Sequence, residues 1–230
     1  MPRRQRFHCS SLARAILLSS ALLLPACGTA PARASQSAAL PAEPAPLGVA
    51  ASVDTAVFAG GCFWGVEAVF EHVKGVTTAT SGYAGGKVSS PSYEQVSSGT
   101  TGHAESVQVV YDPSRVSYDQ LLQVFFAVAH DPTELDRQGP DVGSQYRSAI
   151  FYRNDAQRDA AKRYIAKLEA AHVYRNPIVT EVAPLGRFNE AEAYHQDYLA
   201  HHTHQPYIVI NDLPKLNHLR QEFPQFYVSR

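Results

Sequence analysis

Cysteine is scarce in this chain: three in 230 residues, at positions 9, 27 and 62. With Cys9 and Cys27 both close to the N-terminus, Cys62 is left as the one thiol of the region that can fold, which excludes an internal disulfide there. Clustered positive charge is missing too. No Lys/Arg cluster with interleaved aromatics occurs anywhere, and the formal net charge is -1, so a phosphate-binding surface and a nucleic-acid partner are excluded. The apolar run from Ala15 to Leu24 is too short to span a bilayer as a mature helix. Internal repeats are absent, which sets aside solenoid and propeller architectures.

What stands at the N-terminus has the layout of an export signal. Arg3, Arg4 and Arg6 precede the apolar run, and small residues follow it. The run ends in Leu24-Pro25-Ala26-Cys27-Gly28, which resembles the bacterial lipoprotein cleavage box, with Pro25 an unusual residue inside it. On this reading residues 1–26 are a lipoprotein-like signal peptide and Cys27 is the lipidation site. A cut after Ala32-Arg33-Ala34 would instead release a soluble secreted protein. Residues 1–26 carry four arginines and no acid, so the remainder has a net charge of -5. Residues 27–52, rich in Ala, Pro and Ser, form a flexible tether. Residues 53–230 are long enough for one domain with a sizeable core. The expected location is a bacterial periplasm or its membrane, through an anchored lipoprotein. There an unpaired thiol calls for a reason.

Apolar periodicity outlines the domain. Thr55–Ala59 reads as a strand ending at Gly60-Gly61; Val66, Val69, Phe70 and Val73 then mark an amphipathic helix that Gly75 can close. Strands are expected at Val76–Ser81, Ala104–Tyr111, Arg147–Tyr152 and Ile178–Pro184. Ser117 and Gln120 stand in capping-box register before a second helix, which must stop before Pro132; a third covers Asp155–His172, and a last short one Asn189–His201 before a Pro-containing tail. The expected fold is α+β: a two-layer α/β sandwich, a ferredoxin-like mixed sheet with helices packed on it. Strand order does not follow from the sequence.

Cys62 sits where strand gives way to helix. There the helix dipole and free backbone N–H groups favour thiolate over thiol, which is the form a nucleophile needs. Phe63 and Trp64 beside it suit an apolar wall for a small substrate group. In Gly102-His103-Ala104-Glu105, Glu105 shares a strand face with Val107 and Val109 by the two-residue period. Burial on that face would raise its pKa and keep it protonated, as a general acid requires; at the strand end it would simply meet water. Tyr93 and Tyr146 lie in loop-to-strand contexts and could donate hydrogen bonds to a developing oxyanion or serve as core residues. His195, His201, His202 and His204 cluster without an acidic or thiol ligand at a familiar spacing. They read as a solvated helix end, with no metal site expected.

Five segments in order carry a family resemblance: Gly61-Cys62-Phe63-Trp64-Gly65, Gly102 to Glu105, His130-Asp131-Pro132-Thr133, Asp141 to Ser148, and Tyr194-His195-Gln196-Asp197-Tyr198-Leu199. Together they resemble peptide methionine sulfoxide reductase A, over about Thr55 to Tyr198. The resemblance implies reduction of the S-epimer of methionine sulfoxide in peptides, with activity on the free amino acid left open, in the repair of oxidised proteins. It implies that Phe63 and Trp64 hold the substrate methyl group, that Cys62 attacks the sulfoxide sulfur, and that Glu105 protonates the oxygen held by Tyr93 and Tyr146. Asp141 matches a position that helps order the site. Methionine leaves and Cys62 becomes a sulfenic acid. No metal or flavin is implied; the reductant is an external thiol.

The chain departs from the commoner family pattern at its end, where His201 to Arg230 contain no further cysteine. A one-cysteine cycle is therefore expected, with a thioredoxin-like protein or a small thiol reducing Cys62 directly. The partners implied are oxidised proteins or peptides and that donor, with the enzyme acting as a monomer. Two other readings make different predictions. A cysteine hydrolase would use His103 or His130 as base and form an acyl-enzyme. A tethered peptide-binding module centred on Trp64 would tolerate Cys62→Ser.

Overall fold

The structure, a computed structural model, describes residues 53–230. The signal segment, the tether and Cys27 lie outside the described residues. Six strands form one mixed sheet in the order β7-β6-β1-β3-β2-β8. They are β1 (Asp54–Gly60), β2 (Val76–Ala84), β3 (Ala104–Tyr111), β6 (Ser148–Tyr152), β7 (Glu181–Pro184) and β8 (Asn189–Glu190). A separate hairpin pairs β4 (Arg137–Gln138) with β5 (Asp141–Val142). All neighbours in the large sheet are antiparallel except β6 and β7.

The central four strands have the split βαβ connectivity of ferredoxin-like folds. Helix α1 (Phe63–Glu71) leads from β1 to β2, leaving room for β3 between them; α3 (Tyr118–Val124) and its π-helical extension Phe125–Ala129 lie between β3 and β6. Helix α4 (Asp155–Ala170) makes the crossover that lets β6 and β7 run parallel. The Ser117–Gln120 capping box forms as expected, and a second, Ser92 with Gln95, starts the short α2 (Tyr93–Ser97), which the periodicity does not announce. Asn154 caps α4 by accepting the Gln157 N–H at 2.9 Å.

The expected helix over Asn189–His201 is corrected. That stretch divides into β8, a 3-10 turn at Ala193–His195 and the four-residue α5 (Tyr198–His201). Its first residues satisfy their backbone groups at the edge of β2. The Pro-containing tail holds helical structure: a π-helical turn, Ile208–Asp212, runs into α6 (Leu213–Glu222), with Pro214 in its first turn. The chain end is pinned near the α1–β2 corner, where Val228 N–H donates to His72 O and Arg230 to Val76 O, each at 2.8 Å.

Aromatic rings fill the space between sheet and helices. Phe58 of β1 stacks on Phe70 of α1 at 5.1 Å and on Phe125 at 4.9 Å between centroids. The other sheet face carries a smaller cluster, dominated by Val57, Ala59, Ala84, Ala104, Ala149 and Phe151. Methionine contributes nothing to either layer, because Met1 is the chain's sole methionine. Cys62 lies at the end of β1, beneath the edge where α1, the β4–β5 hairpin and the tail meet.

Candidate active site

Cys62 is the N-cap of α1 and is buried. The chain reaches it through Gly61 in the left-handed region at φ +88°, and a Cβ there would come within 2.5 Å of Gln138 Cγ. Glycine thus lets the strand turn sharply and lets the β4–β5 hairpin close over the turn. One of the free N–H groups of the first turn of α1 has a side-chain partner. Phe63 N–H donates to Glu105 Oε2 at 3.1 Å, while the Trp64 N–H acts on Cys62 by lowering its pKa. Cysteine and carboxylic acid are therefore held on one turn of backbone.

Glu105 lies on the buried face of β3 that sequence alternation assigns to it, with Val107 and Val109 fully enclosed beside it. Burial, with a smaller contribution from the charge of Asp141, outweighs the Phe63 N–H and pushes the Glu105 pKa up to about 8. The carboxyl is thus largely protonated at neutral pH. Cys62 behaves differently from the sequence expectation. Its thiol is raised well above the usual range, first by burial, then by Glu105 and Asp212, while the Trp64 N–H and Lys215 pull it down less strongly. The helix start does act in the expected direction, but desolvation and two carboxylates overwhelm it. Since protonating Glu105 removes one of those charges, the thiolate forms most readily beside a neutral Glu105.

The aromatic residues are arranged around this pair. Phe63 is buried, 5.0 Å from the His195 ring and 5.9 Å from Tyr83. Trp64 donates its indole N–H to His195 Nδ1 at 3.1 Å, and Tyr198 stacks on one indole face at 3.7 Å and 8°. Tyr93 opens α2 rather than entering a strand; its N–H donates to Glu192 Oε1, and Tyr83 O–H donates to Glu192 Oε2. Tyr146 ends a 3-10 turn, Ser144–Tyr146, before β6. Both phenols are held protonated by burial and by Glu105, and both feel Cys62. Asp141, in β5, accepts the Tyr207 O–H and lines a cavity of about 130 Å³. Cys62, the hairpin residues Gln138 to Asp141, Tyr207, Asn211 and Lys215 enclose that cavity.

A family model for peptide methionine sulfoxide reductase matches residues 54–226. The chain belongs to the peptide methionine sulfoxide reductase family. It is 56% identical over 177 residues to peptide methionine sulfoxide reductase MsrA 2 of Mesorhizobium japonicum, covering 77% of this chain and 91% of the relative. MsrA of Chromobacterium violaceum is 51% identical over 171 residues, 74% of this chain and 97% of that protein. Among solved structures, methionine sulfoxide reductase A of Corynebacterium diphtheriae aligns at 40% identity and TM-score 0.56, over 65% of this chain and 74% of its own. Reduced Mxr1 of Saccharomyces cerevisiae aligns at 33% identity and TM-score 0.61, over 66% and 87%.

The reductase brings Cys62, Phe63, Trp64, Glu105, Tyr93, Tyr146 and Asp141 into one neighbourhood, as geometry and mutual pKa effects show. Neither histidine of the hydrolase reading is free to act as base on Cys62. His130 pairs with Phe125 O and Ser148 Oγ, and burial lowers its pKa to about 4; His103 lies between Gly86 N–H and Val88 O. Sequence reasoning about single residues missed four contributors: Tyr198, Tyr207, Asp212 and Lys215. Only Tyr198 stands in a segment that drew attention. The other three come from the Pro-containing tail, for which the sequence assigns no element.

Proposed function

We propose that Cys62 and Glu105 form the reacting pair of a one-cysteine methionine sulfoxide reductase. The chain is an oxidoreductase, a thiol-dependent peptide-methionine (S)-S-oxide reductase serving protein repair. The observation that carries the assignment of roles is the hydrogen bond from Phe63 N–H to Glu105 Oε2 at 3.1 Å, which sets a protonated carboxyl beside the cysteine that caps the same helix.

In the first half of the cycle the Cys62 thiolate attacks the sulfoxide sulfur. Glu105 gives its proton to the sulfoxide oxygen, while the neutral phenols of Tyr93 and Tyr146 donate hydrogen bonds to it as charge develops. Phe63 and the free face of Trp64 hold the methyl group, and Asp141 orders the site through Tyr207. The net change is transfer of one oxygen: Cys62 thiol and sulfoxide become Cys62 sulfenic acid and methionine. Among the described residues Cys62 is the single cysteine, and it is free. In the second half, therefore, an external thiol attacks the sulfenic sulfur, expels water and leaves a mixed disulfide. A second thiol then cleaves it, restoring Cys62 and releasing the donor as its disulfide. A thioredoxin-like dithiol supplies both thiols.

The location and partners belong to the same reading. The basic flank, the short apolar run and the cleavage box at Cys27 support export to the periplasm, as a lipid-anchored or soluble monomer. The test is a single turnover without reductant on a methionine S-sulfoxide peptide. One methionine per enzyme is expected, with a sulfenic acid trapped at Cys62 and neither seen in Cys62→Ser. An active thiol that releases no methionine rules the assignment out.

A further inference from the structure

One ion pair near Cys62, a buried carboxylate with a partly exposed lysine, has no part in the chemistry above. Asp212 is 0% exposed at the junction of the π-helical turn with α6, and Lys215 Nζ donates to its Oδ1 at 3.2 Å. Its other oxygen, Oδ2, has no hydrogen-bond partner among the described residues. Such a carboxylate is costly to keep in a fold, because removing it from water with half its acceptor capacity unused is poorly offset by one ammonium. The pair also occupies a particular space. A Cβ on Gly65 would lie 2.1 Å from Asp212 Oδ1 and 2.9 Å from Lys215 Nζ. The pair thus fills the gap left by a glycine in the first turn of α1, whose N-cap is Cys62. Lys215 and Cys62 line the same cavity, in which Lys215 is the one cationic side chain.

We propose that Asp212 and Lys215 are a positioning pair: the buried carboxylate fixes the lysine so that its ammonium faces Cys62 and favours the anionic sulfur. This rests on the reductase reading and adds to it the source of positive charge at the nucleophile. The other elements present Glu105 from β3, Asp141 from β5, and the phenols of Tyr93, Tyr146 and Tyr207. Those groups are neutral or anionic, so none can replace the ammonium. Asp212 itself acts in two senses, opposing charge on the sulfur while holding the cation that favours it. Gly65 has a role in the same arrangement, since any side chain there would displace the pair.

The test is the pH dependence of Cys62 alkylation by iodoacetamide in the full chain, followed on the Cys62 peptide by mass spectrometry so that Cys9 and Cys27 do not contribute. Lys215→Met is expected to move the midpoint upward by about one pH unit, a tenfold slower reaction below it, as loss of a nearby opposite charge requires. Lys215→Gln, which retains a donor for Asp212, is expected to shift equally, and Lys215→Arg to keep at least half of the effect. Either neutral variant, if folded, decides the matter. A midpoint unchanged in a neutral variant overturns the proposal, as does an arginine variant no better than methionine. Alkylation needs no sulfoxide, so methionine release measured alongside separates the two readings. No release from wild type defeats the reductase cycle alone, whereas release with an unshifted midpoint defeats the positioning pair alone.

Discussion

Replacing Glu105 by Gln should separate the cost of burying this carboxyl from its use. In the folded protein the group titrates at about 8, against an ordinary value of 4.5. A raised carboxyl favours folding in its protonated form, so its contribution is fully present below pH 4.5 and is lost as pH climbs through 8. Working the linkage from those two values, wild type should lose about 4 kcal/mol relative to Glu105→Gln between pH 5 and pH 9. The amide keeps an oxygen for the Phe63 N–H, so the comparison isolates charge from packing. Glu67 and Glu71, raised to about 7 and about 8 by burial, add their own decline to both proteins and cancel in the difference. Urea unfolding across this range measures it. Curves that stay parallel for the two proteins would refute a buried neutral acid, and with it the proton source assigned to the sulfoxide. Methionine release by Glu105→Gln should fall by about 10² to 10⁴, the range for a general acid.

Two further outcomes follow from contacts in the first turn of α1. Gly65→Ala would normally gain close to 1 kcal/mol in a helix; here a Cβ 2.1 Å from Asp212 Oδ1 should reverse the sign to a loss of about 1–3 kcal/mol, read by thermal unfolding. A more stable alanine variant would show that the Asp212 contact is not rigid. Tyr198→Ala uncovers the second face of Trp64 and should cost about 1 kcal/mol in stability while raising KM severalfold more than it lowers kcat. An unchanged KM would mean that the indole does not seat the substrate.

The site was readable where chemistry depends on local rules and obscure where it depends on distant segments. Cys62 at a strand-to-helix junction and Glu105 on an apolar strand face come from spacings of two to four residues, and both stand where those spacings place them. The protonation of Cys62 was misjudged because a helix dipole is a local quantity, while Asp212 lies far along the chain. The hydrogen bond from Trp64 to His195 already spans 131 residues. The Asn189–His201 stretch misled for a related reason: the edge of β2, supplied by a remote segment, draws Asn189 and Glu190 into the sheet. Helix α6 was hidden by Pro214, which marks a break inside a helix but is favourable in its first turn, where it stands.

The methionine-free interior has a consequence for an enzyme whose clients are damaged methionines. Oxidation of a buried methionine inserts a polar, chiral sulfoxide into a packed core and loosens it. Beyond Met1 this chain offers an oxidant no such target, so the repairer does not compete with its own clients for repair. Among the described residues the only sulfur left to attack is the one that a donor thiol regenerates on every cycle.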